Sequence, residues 1–429
     1  MRLDVRRPVW ALHVLVVGLA LHNLVISQLW HAGVRGGALT VVSAWKDVLL
    51  LAALAAVVWA RRGLPFSATP TDWLALAFAV FVVLYAALPQ SALGGDASAK
   101  GVLYALRHDL LPVEAYFLGR GLQLTAGERR SLVRTILATA AVLAGLGLAD
   151  VFLVHLQWWR TNGTVGWFTE QLGIDRTTNG LSGLPENFVL NVGHGVVYRR
   201  LVSTFLSPLA TAYLLVVALL ALASLRRSRW QLAAPLLFAA LLWTHTRAAV
   251  IALVGGLAVL ALASRSRSAA VAAVVVAAVG LVFFHEYRHV APRTHFTAAE
   301  LALQNAHATG AQGGVNSSGE HTSTLWQGIR NVVRHPQGFG LGNAGVTAVR
   351  SNVLPAAGES TYTEIGVETG LAGGLVFIAW SLALFWASLR GSRWVGAAFA
   401  AVFAIGIQTD VIGVPWIGVV VWALAADAA

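Results

Sequence analysis

The sequence contains no cysteine. That absence excludes disulfide bonds, zinc–thiolate sites, iron–sulfur ligation and thiol nucleophiles. Charge is also scarce, because only 11% of the 429 residues are charged and just 19 of them are acidic. No Asp-x-Asp pair is present to hold a divalent cation. We therefore expect neither a metal site nor another cofactor.

Long apolar runs take the place of charge. Apolar residues make up 57% of the chain and the mean hydropathy is +0.69, which is typical of an all-α polytopic membrane protein. The N-terminal apolar run is too long for a signal peptide and lacks a cleavage site, so we interpret it as the first span. Windows of about 20 residues predict a single membrane domain, 1–429, with about 12 transmembrane helices. The predicted spans lie near 9–29, 41–60, 72–89, 102–120, 133–155, 203–223, 231–245, 248–264, 269–285, 370–388, 394–409 and 411–426.

Arginines in the N-terminal tail and in alternate short loops predict the orientation. These positions hold 16 of the 30 basic residues, and short basic loops stay in the cytoplasm. We therefore expect both termini to be cytoplasmic. Two long loops, 156–202 and 286–369, should then face outward, the second directly before the tenth span.

The other basic residues are not explained by the orientation rule. Several lie inside or at the ends of predicted spans, where an ionisable group usually faces a cavity and a partner. An arginine cluster in a water-poor pocket suits a diphosphate, because guanidinium groups bind phosphate oxygens in pairs. Snorkelling toward outer headgroups is the alternative. The residues concerned are Lys46, Arg107, Arg199, Arg200 and Arg247.

The sequence of the second long loop predicts that it contains an amphipathic helix near 323–335. Thr322 or Ser323 would cap it, and Pro336 would end it. Arg330 and Arg334 would share one side, which indicates either a helix on the membrane surface or one packed over the spans. The opposite, apolar side would be formed by Leu325, Ile329 and Val333.

Three acids lie just before the tenth predicted span, in "GESTYTEIGVETGLAGG" (358–374). Thr361 and Glu364 have the spacing of a capping box, which predicts a structural role for Glu364. Glu368 follows one turn later, at a position we expect to be solvated or interfacial. Glu359 precedes the cap, where the helix N-terminus favours a carboxylate. It could accept a proton from a sugar hydroxyl, or it could be an ordinary loop acid.

A competing motif is "HEYRH" (285–289), which matches the H-E-x-x-H pattern of zinc metalloproteases. The pattern needs a third ligand, and none is recognisable downstream. Arg288 would also place a cation beside the metal. The alternative is that these residues form the polar outer end of the ninth span, and we assign no metal ligand.

Three stretches together carry a family resemblance. "YRRLVSTFLSP" (198–208) has an arginine before a Thr-Phe-x-x-Pro pattern, and "THTRAAVIALVGG" (244–256) has a Thr-x-Thr-Arg pattern before an apolar run. "WQGIRNVVRHPQGFGLGN" (326–343) is followed by "ESTYTEIGVETGLAGG" (359–374). In this order the chain resembles the O-antigen ligase and O-antigen polymerase superfamily of bacterial membrane glycosyltransferases. The ligases have a histidine, a small polar residue, nine residues and then Gly-x-x-Gly. Here Glu359 stands at the histidine position, while acids or amides in this region are familiar from polymerases.

The resemblance implies a GT-C-like enzyme in the bacterial cytoplasmic (inner) membrane. It would move a glycan from an undecaprenyl-diphosphate carrier to a hydroxyl of a glycan or glycolipid acceptor on the outer face, without metal and with inversion. A polymerase joining lipid-linked repeat units is the alternative, and a lipid-glycan transporter or the metalloprotease are remoter ones. Membrane lipids would be further partners, and nucleic acid would not.

The resemblance also implies roles for particular residues. Glu359 would be the catalytic base, and Arg199 or Arg200 would bind the diphosphate together with Arg247. Adjacent helical residues point about 100° apart, so we expect only one of the two neighbouring arginines to face the cavity. Further possible substrate-binding residues are Lys46, Arg107, Arg330, Arg334 and His335.

Overall fold

The computed structural model describes residues 7–173, 184, 188–191, 197–225, 228–291, 294, 296–299 and 317–429. These residues are mainly α-helical. Seven described helices are long and apolar enough to cross a membrane, and three further apolar helices are shorter. The chain is therefore a helical membrane protein, as its composition predicts.

Nine α-helices precede a small sheet. They are α1 (Val9–His31), α2 (Gly36–Ser43), α3 (Trp45–Arg61), α4 (Pro70–Ala87), α5 (Gln90–Leu93), α6 (Ala99–Leu122), α7 (Ala126–Leu153), α8 (Leu156–Thr161) and α9 (Thr164–Gly166). A π-helical turn, Trp167–Gln171, follows α9. Strands β1 (Val189–Asn191) and β2 (Val197–Arg199) pair antiparallel, with Val189 opposite Arg199.

Nine α-helices of the described chain follow the sheet. They are α10 (Pro208–Ser224), α11 (Ala234–Trp243), α12 (Arg247–Ser264), α13 (Arg267–Val290), α14 (Ser317–Arg334), α15 (Gly345–Arg350), α16 (Thr361–Gly391), α17 (Arg393–Ile405) and α18 (Trp422–Ala428). Short 3₁₀ turns, Ser203–Phe205 and Arg229–Ala233, precede α10 and α11, and a π-helical turn, Ile417–Val421, precedes α18.

The seven long apolar helices coincide with seven predicted spans. They are α1, α2 together with α3, α4, α7, α12, α13 and α16. The fourth predicted span lies in α6, which is 24 residues long but carries several charged side chains. The sixth, eleventh and twelfth predicted spans coincide with the shorter apolar helices, and the seventh contains the ten residues of α11.

Local sequence explains where several helices begin. Thr69 accepts a hydrogen bond from the backbone N–H of Asp72, and the Asp72 carboxylate bonds back to the N–H of Thr69, so a full capping box starts α4. Thr125 and Glu128 do the same for α7. At α10, the Ser207 hydroxyl accepts from the third residue of the helix, and a proline follows it at the first helical position.

The core surrounds α10, which is buried along nearly its whole length. It packs against α7, α11, α12 and α17, whereas α16 packs against α4, α14, α17 and α18. Helix α6 contacts α3, α4 and α18. His108 in the first half of α6 interacts electrostatically with Glu364 at the beginning of α16, so these two parts lie in one region of the bundle.

Helix α16 is interrupted at Gly370, whose φ of 72° and ψ of 173° are not helical. The segment after α14 fits into this break, because the N–H of Leu371 donates to the Pro336 carbonyl at 2.9 Å. A Cβ at Gly338 would collide with the Gly370 backbone, so glycine is required for this close approach. The predicted glycine-rich stretch is thus a tight backbone path along α16.

Helix α14 begins at Ser317, earlier than the predicted caps at Thr322 and Ser323, and ends at Arg334 before Pro336 as predicted. Its contact face agrees with the prediction in part. Gly328 lies against Thr363 and Val332 against Gly366, so the helix packs on α16. Of the predicted apolar side, Leu325 and Ile329 are half-buried, but Val333 is 65% exposed.

Candidate functional site

A cavity of about 430 Å³ lies among α1, α3, α6, α15 and the beginning of α16. Basic and acidic side chains both line it. The basic lining residues are Lys46, Lys100, Arg107 and Arg350, and the acidic and histidine lining residues are Asp47, Glu364, Asp410, His22 and His108.

The basic side of the cavity is only partly neutralised. Arg107 donates from Nε to Oδ1 of Asp47 at 2.8 Å. Lys46 is 9% exposed, and its Nζ lies 3.0 Å from the Ser43 carbonyl. Within the described residues, neither Lys46 nor Lys100 nor Arg350 forms an ion pair. Arg350 is exposed and lines the cavity together with Arg107, and like charges in one cavity favour a bound anion.

The imidazole of His108 lies between two carboxylates, and these three groups form an acid–histidine wall on the inner side of the cavity. Nδ1 of His108 lies 2.8 Å from Oδ1 of Asp109, and Nε2 lies 2.9 Å from Oδ2 of Asp410. A ring that donates from both nitrogens is the imidazolium. Burial raises the pKa of Asp410, but the charge and hydrogen bond of His108 and the backbone N–H of Gly413 outweigh it and leave that pKa below its ordinary value.

Glu364 reaches the cavity from the first turn of α16. It is 6% exposed and interacts electrostatically with Asp410 and His108, and its carboxylate accepts a hydrogen bond from the backbone N–H of Glu359. A Cβ at Gly345 would collide with its Oε2. Instead of closing a capping box with Thr361, Glu364 therefore presents its carboxylate to the cavity.

Glu368 is 3% exposed, so our expectation of a solvated or interfacial position was wrong. Its Oε1 accepts from the N–H of Gly342 at 2.9 Å and from the hydroxyl of Thr347 at 3.3 Å. Oδ2 of Asp109 is buried beside it and finds no N–H or O–H donor among the described residues. The two carboxyl groups can satisfy each other by sharing a proton.

A second group of basic residues surrounds the turn between α11 and α12. Arg200 donates from Nε to the Thr244 carbonyl at 2.9 Å and from Nη2 to Oγ1 of Thr246 at 3.2 Å. Burial lowers the pKa of Arg200 to about 10. Burial, Arg200 and Arg247 together lower the pKa of His245 to about 3, so this histidine is neutral among its cationic neighbours.

Tyr213 on α10 connects this arginine group with the cavity. Its side chain hydrogen-bonds to Thr409 and interacts electrostatically with both Arg200 and Asp410. The residue is fully buried, with 1% of its surface exposed. The arginine group and the acid–histidine wall are therefore neighbours separated by one phenol ring.

The two adjacent arginines have different environments. Arg199 is 3% exposed, and its Nη2 lies 2.8 Å from Oδ1 of Asp150 while its other η-nitrogen donates to the Val154 carbonyl. Arg200 instead bonds across to the α11–α12 turn. They diverge because Arg199 ends a β-strand, and successive residues of an extended chain point to opposite faces. Our expectation that this pair lies on a helix was wrong, although the two side chains do point in different directions.

The remaining predicted residues lie at different places. Lys46 and Arg107 line the cavity, and Arg247 is exposed at the first position of α12 with its guanidinium 6.0 Å from the Phe284 ring. Glu359 is exposed, has a φ of 64° and is outside the cavity lining. The exposed side of the α14 region holds Arg330, Arg334 and His335, which also lie outside that lining.

Sequence reasoning missed several lining residues that it could have found. His108 follows Arg107 directly inside a predicted span, and ionisable residues at membrane depth are functional candidates by default. Asp410 lies at the junction of two predicted spans. Arg350 had no comparable signal, because it lies in a long loop where basic residues are ordinary.

The His-Glu-x-x-His residues lie at the exposed end of α13. Nε2 of His285 is 3.5 Å and Nε2 of His289 is 3.8 Å from the Glu286 carboxylate. Within the part of the chain that the structure describes, no group of three histidine, aspartate or glutamate side chains could hold a metal ion.

Comparison of the chain with protein-family models and with curated proteins gives no match.

Proposed function

We propose that this protein is a membrane glycosyltransferase of the O-antigen ligase or polymerase type. It would span the bacterial cytoplasmic membrane about twelve times in a GT-C-like arrangement with both termini in the cytoplasm. Its donor would be a glycan on a polyprenyl diphosphate, and its acceptor a hydroxyl of a glycan or glycolipid. The sequence resemblance suggested this function, and the cavity supplies the physical support.

One observation carries the proposal. The cavity gathers Lys46, Lys100 and Arg350 without an acidic partner among the described residues, while carboxylates line the same space. Lys46 is buried, whereas Lys100 and Arg350 are exposed. Leaving a buried cation without an anionic partner is unfavourable unless a ligand completes the site. A diphosphate supplies the missing negative charge, and fixed cations stabilise the charge that develops on it as it leaves.

The chemistry follows from the two kinds of side chain. A carboxylate takes the proton of the acceptor hydroxyl as its oxygen attacks the anomeric carbon. The bond from that carbon to the diphosphate oxygen breaks, and the polyprenyl diphosphate leaves with the electron pair toward the basic residues. Attack from the face opposite the leaving group inverts the anomeric centre.

We propose Glu364 as the base, because it lines the cavity. Asp410 is less suitable, since both of its oxygens accept hydrogen bonds, from His108 and from the Gly413 N–H. Glu359, which the family register predicts for this role, is exposed and contacts Glu364 through its backbone N–H. Replacing each of the two glutamates in turn by glutamine shows which of them is the base.

The experiment is deletion of the gene and complementation with variants, followed by gel analysis of surface glycans. Loss of long chains with single units retained would indicate a polymerase, and complete chains stranded on the carrier lipid would indicate a ligase. We expect Glu364→Gln to fail to complement, with the protein still present in the membrane. Glu286→Gln, an exposed acid on α13, is the matched control.

Two outcomes would contradict the proposal. Unchanged glycans after deletion would refute the glycosyltransferase function itself. Full complementation by Glu364→Gln together with failure of Glu359→Gln would keep the function and move the base to Glu359. A transporter would instead move the donor across liposome membranes while its diphosphate bond stays intact.

A further inference from the structure

A second cavity, of about 590 Å³, lies at the other end of α16. Helix α16 begins beside the cavity that contains Glu364 and ends near Trp394, which lines the second one. The basic residues of this cleft come from α7 and from the segment between α10 and α11. They are Arg129, Arg130, Arg134 and Arg229.

Most of this positive charge is uncompensated. Arg129 forms an ion pair with Oδ2 of Asp427 at 2.7 Å. Arg130 bonds only to a backbone carbonyl of its own helix, that of Ala126 at 3.2 Å. Among the described ion pairs, none includes Arg130, Arg134 or Arg229. Like charges at close range repel, so an anion in the cleft would relieve this repulsion.

The rule that basic loops stay in the cytoplasm explains why these segments carry arginines, but not why the arginines of separate segments meet in one cleft. The positive-inside rule counts cations along a loop and does not require them to surround one concave space. Here arginines of two segments that are far apart in the sequence meet with two indole rings, Trp230 and Trp394. Tryptophan prefers the headgroup level of a bilayer. The cleft therefore combines cations with residues that belong at the depth of lipid phosphates.

We propose that this cleft binds the phosphate headgroup of an anionic phospholipid. The guanidinium groups would bind the phosphate oxygens, since their planar N–H donors match phosphate geometry and basic pockets between membrane helices suit such headgroups. The two indoles would flank the glycerol region. The loop charges predict that this is the cytoplasmic leaflet. The proposal is independent of the glycosyltransferase function.

The test measures lipid binding to the purified full-length protein. Native mass spectrometry of detergent-solubilised protein, titrated with phosphatidylglycerol, gives the apparent affinity, and phosphatidylcholine of the same chain length is the zwitterionic comparison. The cleft variant carries Arg134→Gln and Arg229→Gln. The matched control carries Arg265→Gln and Arg267→Gln, which remove two exposed cations of the α12–α13 connection outside the cleft.

We expect phosphatidylglycerol to bind more tightly than phosphatidylcholine. Each arginine that binds the headgroup phosphate contributes roughly fivefold to the affinity, so loss of two of them should weaken phosphatidylglycerol binding about 25-fold. The control should stay within about twofold of the wild type. If the cleft variant does not fold, Arg134→Gln alone should still weaken binding roughly fivefold.

Three results would overturn the proposal. They are equal affinity for the two lipids, equal weakening by the cleft and control variants, and release of the lipid by inorganic phosphate at a concentration similar to that of the lipid. The last result would mean that the cleft binds free anions and not a membrane lipid.

Discussion

The adjacent arginines Arg199 and Arg200 test whether a buried ion pair stabilises this fold more than buried hydrogen bonds do. Arg199 forms a buried ion pair with Asp150, whose Oδ1 also accepts from the indole N–H of Trp159 at 2.7 Å. The Arg199 carbonyl accepts from the Tyr287 hydroxyl at 2.8 Å. We therefore predict that Arg199 contributes more to the stability of the fold than Arg200 does.

The size of the effect follows from what each substitution leaves behind. Arg199→Met leaves the Asp150 carboxylate buried with one neutral donor, and breaking a buried ion pair in this way lowers the free energy of unfolding by about 3–5 kcal/mol. Adding Asp150→Asn removes the stranded charge and keeps an acceptor for Trp159. The double variant should therefore be more stable than Arg199→Met by about 2 kcal/mol, because no unpaired charge remains.

Unfolding in mixed micelles, followed by tryptophan fluorescence, measures these free energies. Arg200→Met is the matched substitution at the next position. It removes hydrogen bonds to Thr244 and Thr246 but strands no carboxylate, so we expect a loss of about 1–3 kcal/mol. A double variant less stable than Arg199→Met, or an Arg199→Met protein as stable as the wild type, would refute the reasoning.

Three further predictions concern the cavity and the α11–α12 turn. Glu368→Gln should keep the thermal midpoint in detergent nearly unchanged, because the amide still accepts from the backbone N–H of Gly342 and can donate to the neighbouring carboxyl. Glu368→Leu should lower the free energy of unfolding by about 1–3 kcal/mol by stranding that buried N–H, while the Thr347 hydroxyl still donates to the Ala344 carbonyl. Gly345→Ala should reduce surface-glycan complementation, because the φ of 53° at Gly345 is strained for alanine and the added Cβ would displace Glu364. Gly358→Ala is the control, since a Cβ there would meet no atom within 4 Å. Equal complementation by the two variants would contradict this role for Gly345. An unfolded histidine takes up a proton near pH 6.5, whereas the pKa of folded His245 is about 3. Its contribution to the free energy of unfolding should therefore be full above pH 6.5 and decrease as the pH falls toward 3. His245→Gln should remove this decrease from acid unfolding curves.

Features that depend on nearby residues could be predicted from the sequence. The long apolar helices follow from composition, and Pro336 ends α14 because proline cannot continue a helix. The glycines of the 338–342 segment predicted a tight path, and the structure shows it along the break in α16. Each of these features is decided within one stretch of chain.

The acid–histidine wall could not be predicted in the same way, because its partners are distant in the sequence. His108 and Asp410 are 302 residues apart. Thr361 looked like a helix cap for Glu364, but its N–H donates to the Gly406 carbonyl and its hydroxyl accepts from the Val411 N–H. Those tertiary contacts move the cap to Ser360 and free Glu364 to face the cavity.

The two basic cavities at the ends of α16 differ in a way that separates chemistry from binding. Both hold cations that lack acidic partners among the described residues, so each favours an anion. Only the one at the beginning of α16 is also lined by carboxylates, Glu364 and Asp410. A carboxylate weakens simple anion binding through repulsion, so its presence there fits the proton transfer that we propose for this site. The cleft near Trp394 has no acidic lining residue, which suits a site that holds a phosphate without acting on it.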